Sequence, residues 1–279
     1  MPRVEHNPNS NPHVPVMPNS PASIPQATPT SAPQQTQPIV DASYITAQQL
    51  PSGFKAYPAG SVVKYRQYKW MEVKTLNRSN LSEEDRYALI LSGIETLGFM
   101  KSQLTHPDVQ YLGLMRRLAT LGSSTFSIKY TCTNPRCRKP NTHNFANKDI
   151  EFQDLEVPSL PIIIALPGKP KIELMPLTLQ AWLRLNRTNK NDDPIATMAT
   201  MFHNIAEPEA IKILESIEDF EEGQLFDQAD TQLFHGVKSM RTTCAHCEWI
   251  NSIPLELISE NILPFRTDES PKYSLSYGG

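Results

Sequence analysis

Four cysteines in two close pairs, with none elsewhere, constrain this chain more than any other feature. The first pair is Cys132-Thr133-Asn134-Pro135-Arg136-Cys137 and the second is Cys244-Ala245-His246-Cys247. Either spacing lets a tight turn between strands aim both sulfurs at one ion while turn amides donate to them. One such turn supplies half a tetrahedron, and two complete it with no sulfur left over. Cysteine this sparse in 279 residues builds no disulfide framework, and the N-terminus shows no basic-then-apolar leader. The residues therefore point first to one structural tetrathiolate zinc site made by Cys132, Cys137, Cys244 and Cys247. A redox Cys-x-x-Cys and unligated cysteines are the competing readings. Against the redox pair, Cys244 does not open a helix after a strand. His143 and His246 lie nearby and could each replace a sulfur, but four thiolates fill the shell, so both read as solvated surface residues.

The pattern around the cysteines sets the expected fold class: α+β, with zinc-ribbon-like β hairpins, helical segments and a helical insertion between the two knuckles. Residues 1–45 hold ten of the 25 prolines, no glycine and few large apolar side chains. Such a segment cannot bury enough surface to offset ordering entropy, so an extended or disordered arm is expected. Residues 46–124 read as a strand (Ser61–Arg66) and helices. Ser82 and Asp85 can cap the first, with Tyr87, Ile90, Leu91, Ile94 and Leu97 on one face; a second runs from His106-Pro107 to a stop at Gly122. Residues 125–155 carry the first knuckle, entered on the alternating Phe126, Ile128 and Tyr130 and left on a return strand at Ile150 and Phe152. In 156–236, a hairpin turns around Pro167-Gly168-Lys169-Pro170. Helices follow near Leu179, at Asp193-Pro194, at Pro208 and through Leu225 to Leu233. Residues 237–265 carry a strand into Cys244 and another beyond Trp249, and 266–279 form a tail.

Other chemistry is faint. The acidic run Glu218–Glu222 reads as a solvated approach to a helix N-terminus, and the Met198, Met201 and Phe202 stripe as core. No phosphate-binding loop, nucleophile elbow or metalloprotease helix is present, so the chain does not read as an enzyme. A net charge of -3 and a pI near 6.2 give no global pull toward nucleic acid, although Lys129, Arg136, Arg138, Lys139 and Lys148 gather around the first knuckle. No apolar run approaches the roughly 20 residues of a membrane span.

The order of parts carries a resemblance. Leu50-Pro51-Ser52-Gly53 leads into Tyr57 and Val62-Val63-Lys64-Tyr65-Arg66. Then come Trp70-Met71-Glu72-Val73-Lys74-Thr75-Leu76, two helices, Phe126-Ser127-Ile128-Lys129-Tyr130-Thr131-Cys132, Met175-Pro176-Leu177-Thr178, a helical middle and the second cysteine pair. From about residue 48 to 265 this resembles the baseplate hub and tail assembly proteins of T4-like contractile-tailed phages; the Pro-rich arm departs from that pattern. The resemblance implies a structural or assembly role in the virion tail baseplate. It also implies other phage baseplate and tail proteins as partners, manufacture in the host cytoplasm, and a metal-ligand role for the same four cysteines. A zinc-ribbon nucleic-acid binder is the alternative.

Overall fold

The computed structural model describes residues 44–78, 80–122, 125–146 and 149–253. Nearly all of the Pro-rich arm, Lys148, residues 254–265 and the 266–279 tail lie outside the described residues. The described chain is a mixed α and β protein with small antiparallel sheets. Among the described residues no helix is long and apolar enough to cross a membrane.

The N-terminal part is a three-stranded sheet with three helices. Strands β1 (Ile45–Thr46), β2 (Val62–Tyr65) and β3 (Ile94–Leu97) pair antiparallel in that order. Helices α1 (Trp70–Leu76), α2 (Glu83–Leu91) and α3 (His106–Leu121) pack beside it. Ser82 caps α2 through a hydrogen bond from the Asp85 amide, as its sequence signature predicts. Leu50, Val63, Ile90, Ile94 and Leu112 form the fully buried centre of this core. One expectation fails here: Ile94 and Leu97 leave the helix and enter β3. Ser92 and Gly93 end α2, because Gly93 lies against the guanidinium of Arg116. A Cβ at Gly93 would stand 2.2 Å from Arg116 Cζ, so only glycine lets the chain turn there.

The N-terminus of α3 is a junction. Thr105 caps it, and the Asp108 carboxylate accepts the Ser52 amide at 2.9 Å and the Tyr57 hydroxyl at 2.5 Å. Residues 50–57 are thereby fixed to the helix. The His106 amide donates to the Leu177 carbonyl and the Leu179 amide to that of Leu104, which ties in the segment entering α4 (Leu179–Arg187).

Strands β4 (Thr125–Thr131) and β5 (Pro140–Ala146) follow as a hairpin, with Thr131 opposite Pro140 at its closed end. The expected return strand at Ile150 and Phe152 is therefore corrected. β5 begins at a proline and presents Asn141, Thr142, His143 and Asn144, so it shows no hydrophobic alternation. Ile150 instead fills the core beneath the hairpin, and β6 (Phe152–Gln153) pairs with β9 (Gly236–Val237).

A second core occupies the stretch between the cysteine pairs. Strands β7 (Ile162–Ile164) and β8 (Ile172–Leu174) pair around the expected turn. They pack against α5 (Pro194–Thr200), α6 (Glu207–Glu215) and α7 (Phe220–Leu233). Asp193 caps α5 and Asp219 caps α7, so the acidic run sits at a helix start as expected. Met201 and Phe202 are buried in this core and Met198 is half-buried. The single strand expected from Val237 to Thr243 is broken at Lys238 and Ser239. β9 returns to β6, and β10 (Met240–Thr243) forms a separate hairpin with β11 (Ile250–Ile253).

Candidate metal centre

The two hairpins meet at their turns. Ile128, Phe145, Met240 and Ile253 share a small core with Leu114 of α3, so one helix supports both. Cys132 directly follows β4 and Cys244 directly follows β10. The four Sγ atoms lie within 4.8 Å of one another. Cys132 and Cys247 are 3.7 Å apart, and Cys137 and Cys244 are 3.8 Å apart, both far beyond a disulfide bond; all four cysteines are free. Sulfurs on a tetrahedron around one ion, at a metal–thiolate length of about 2.3 Å, stand about 3.8 Å from each other. The cluster thus has the dimensions to hold a metal ion, and it joins residues more than a hundred positions apart.

The turns share a plan despite their unequal spacings. In the second, the Cys244 carbonyl accepts the Glu248 amide at 3.0 Å, and Glu248 takes a positive φ of 57°. In the first, the Asn134 carbonyl accepts the Cys137 and Arg138 amides, and Arg138 has a φ of 46°. Asn134 thus occupies in the first turn the backbone place of Cys244 in the second. Cys132 enters two residues earlier, which accounts for the wider spacing. The Cys132 amide donates to the Lys139 carbonyl and the Cys244 amide to the Trp249 carbonyl, each acceptor lying two residues past the second cysteine.

Two buried asparagines then lock the hairpins together. Asn141 donates to the Lys139 carbonyl at 2.9 Å and accepts the Ala245 amide at 3.0 Å. Asn251 donates to the Trp249 carbonyl at 3.0 Å and accepts the Thr133 amide at 2.7 Å and the Thr133 hydroxyl at 3.0 Å. Each carboxamide holds its own turn and the residue after the first cysteine of the other. Sequence reasoning missed both. The available signal was position: each asparagine stands four residues after the second cysteine of its pair.

The electrostatics are uneven across the cluster. Burial, reinforced by the neighbouring sulfurs, pushes the Cys132 thiol up to about 11. Burial also works against ionisation of Cys244, but the amides of His246 and Cys247 and the Asn141 side chain outweigh it and hold that thiol at about 6. The His246 amide reaches Cys244 Sγ at 3.4 Å and the Asn134 carboxamide reaches Cys247 Sγ at 3.8 Å. The donors of the second turn thus favour a thiolate at Cys244 more than the surroundings of Cys132 do there.

The histidines separate. His246 is exposed, as expected. His143 is not merely solvated: it is half-buried, lies near-parallel to Phe145, and its Nδ1 shares a 2.9 Å hydrogen bond with the Thr242 hydroxyl, a further tie between hairpins. Neither enters the sulfur cluster. Arg136, Arg138 and Lys139 are exposed around the first turn, and Trp249 is 52 % exposed beyond the second.

In comparisons with known proteins, no family model, curated protein sequence or solved structure matches this chain.

Proposed function

We propose that this protein is a structural or assembly component of the baseplate hub of a contractile phage tail. In this reading a structural Zn2+ joins two zinc-ribbon-like hairpins around the helical insertion. The observation that carries the structural role is the sulfur cluster itself. Four sulfurs within 4.8 Å of one another, two pairs of them at 3.7 and 3.8 Å, would as thiolates complete the coordination of a d10 ion and leave no position for substrate, which is how a structural rather than a catalytic zinc is held. Softer thiolate ligands and the tetrahedral dimensions favour zinc over oxygen-loving cations. The assignment to a phage tail rests on the resemblance in order of parts, from Leu50-Pro51 through the first knuckle to the second. Its partners would be neighbouring tail and baseplate proteins.

Two measurements test this. Metal analysis of the purified chain should return one zinc per chain, and iron or no metal would overturn the metal assignment. Labelling of intact tails with antibody to this chain, and tail morphology when its gene is silenced, address the assembly role. Tails that form normally without the protein and never carry it would end that reading.

A second reading has one specific observation behind it. The exposed indole of Trp249 lies past the second turn, while Arg136 within the first turn and Arg138 and Lys139 just past it are exposed. Exposed aromatic and basic side chains on the two turns suit single-stranded nucleic acid. Phosphate contacts would make such binding weaken steeply with salt, so an absence of binding at low ionic strength removes this alternative.

A further inference from the structure

Away from the metal centre, α5, the end of α6 and α7 enclose an open groove with a cavity volume of about 480 Å³. Its apolar wall includes Ile195, Met198 and Ile217, with Ile195 38 % exposed and the other two half-buried. Its rim carries Asp227 and Asp230, one turn apart on α7. Among the described residues neither carboxylate has a hydrogen bond or ion pair to a side chain. Burial at the groove, with the charge of Asp227 added, raises the Asp230 carboxyl above its ordinary value. Like charges at this helical spacing oppose each other, so the rim is set for a cation that none of the described residues supplies.

Gly223 adds an observation of a different kind. It lies inside α7 and lines the same groove, yet a Cβ there would meet no atom within 4 Å. Its φ is not in the left-handed region, so no turn requires it. Glycine within a helix costs about 0.5–1 kcal/mol relative to alanine. Among the described residues nothing packed against it explains it. Close approach by a group from outside would.

We infer that the groove between α5 and α7 is a docking site for a basic amphipathic segment of a partner protein. An apolar side chain of that segment seats against Met198, Ile217 and the bare backbone at Gly223, and its Lys or Arg side chains pair with Asp227 and Asp230. Charge complementarity selects this occupant over an acidic or purely apolar one, because the two exposed carboxylates would lose water without gaining a partner beneath either. The inference uses nothing from the cysteine cluster and stands or falls apart from the phage reading.

The test uses the full metal-loaded chain against a bead-bound library of random short peptides, followed by solution affinity measurements on the selected peptides. The expected winners combine a bulky apolar residue with Lys or Arg, and the Asp227→Asn/Asp230→Asn variant weakens them at least tenfold. Gly223→Ala supplies a signature that a merely structural glycine cannot. It should raise the melting temperature of the free chain, because the helix gains propensity and the space is open, while weakening the same peptides. Winners that are acidic or uncharged would overturn the proposal, as would no winners at all. So would affinities that neither variant moves, or saturable binding of Ca2+ alone at the two carboxylates.

Discussion

Asn141 and Asn251 brace each other's hairpin, the oxygen of each carboxamide accepting the amide that follows the first cysteine of the opposite turn. Asn251 is fully buried and Asn141 is 8 % exposed, so neither bond competes with water. Removing either carboxamide strands a buried amide and a carbonyl, a loss of about 1–3 kcal/mol. Because these groups orient the ligand turns, metal affinity should also fall by about 10- to 100-fold. Asn251→Ala should be the more damaging, since Asn251 also accepts the Thr133 hydroxyl. Competition with a chelator, read beside the melting temperature, measures both. Unchanged metal retention in Asn251→Ala would mean that the sulfurs alone set the geometry.

The burial of the cysteines grades what substitutions they should tolerate. Cys132 and Cys244 are buried and Cys247 is exposed. Cys247→His has room for a ring and should keep the metal with reduced affinity; Cys132→His does not and should lose it. Chelation of the wild-type chain should lower Tm by roughly 10 °C or more. A structural thiolate site contributes several kcal/mol to folding, and in a chain of this size each kcal/mol moves Tm by about 2–4 °C. Amide exchange should localise the early loss to β4, β5, β10 and β11, with the α2–α3 core persisting. A uniform loss across all helices would show the centre to be integral to the whole fold.

Much of this was readable in the chain because the causes are local. The cap at Ser82, the Asp193-Pro194 start of α5 and the turn at Gly168 are each decided by a few consecutive residues. The cysteine pairs were readable because ligand spacing and count are written in the sequence. What escaped depends on distant partners. Ile94 continues the helical spacing of α2, and only Arg116, more than twenty residues on, shows why Gly93 must break it. β5 is a strand because β4 pairs with it, and its own polar residues give no period. The bonds of Asn141 and Asn251 span more than a hundred residues, although their matching position after each cysteine pair was visible.

The buried guanidinium of Arg116 yields a third prediction. It donates to the carbonyls of Arg66, Leu89 and Ile90 and pairs with Glu72 at 3.0 Å, while Arg66 pairs with the same carboxylate at 2.6 Å. Burial works to raise the Glu72 carboxyl, but Arg66, the Lys69 amide, the Ser92 hydroxyl and Arg116 together hold it at about 2. Glu72→Gln leaves a cation with no exposed surface unpaired and should cost about 3–5 kcal/mol. Gly93→Ala drives a methyl into that guanidinium and should cost about 3 kcal/mol by the same displacement. Chemical denaturation of the two single variants and the double variant checks the link. If both act on Arg116, their effects should fall short of adding.

His106 should set how the protein begins to fail in acid. Its ring stacks on Trp182 with centroids 4.3 Å apart, and its Nε2 lies 2.5 Å from the Tyr87 hydroxyl and 3.2 Å from the Gln110 carboxamide nitrogen. Both neighbours can donate, so Nε2 serves as the acceptor and the ring is neutral. Burial, with His235 adding a smaller like-charge effect, holds it down at about 3. The unfolded ring takes a proton near 6.5. Between those values the unfolded chain binds the extra proton, so stability is complete above about pH 6.5 and falls as pH drops, by about 1 kcal/mol per unit. The Glu72 contribution is lost lower, from about 4.5 toward 2, so the two windows separate. His106→Gln cannot titrate. It should reduce stability at pH 7 through lost stacking, yet flatten the decline between pH 6.5 and 5, read from denaturation midpoints and Trp182 emission. An unchanged slope in that variant would show that the ring protonates within the native fold at an ordinary pH and that another group governs the acid limb.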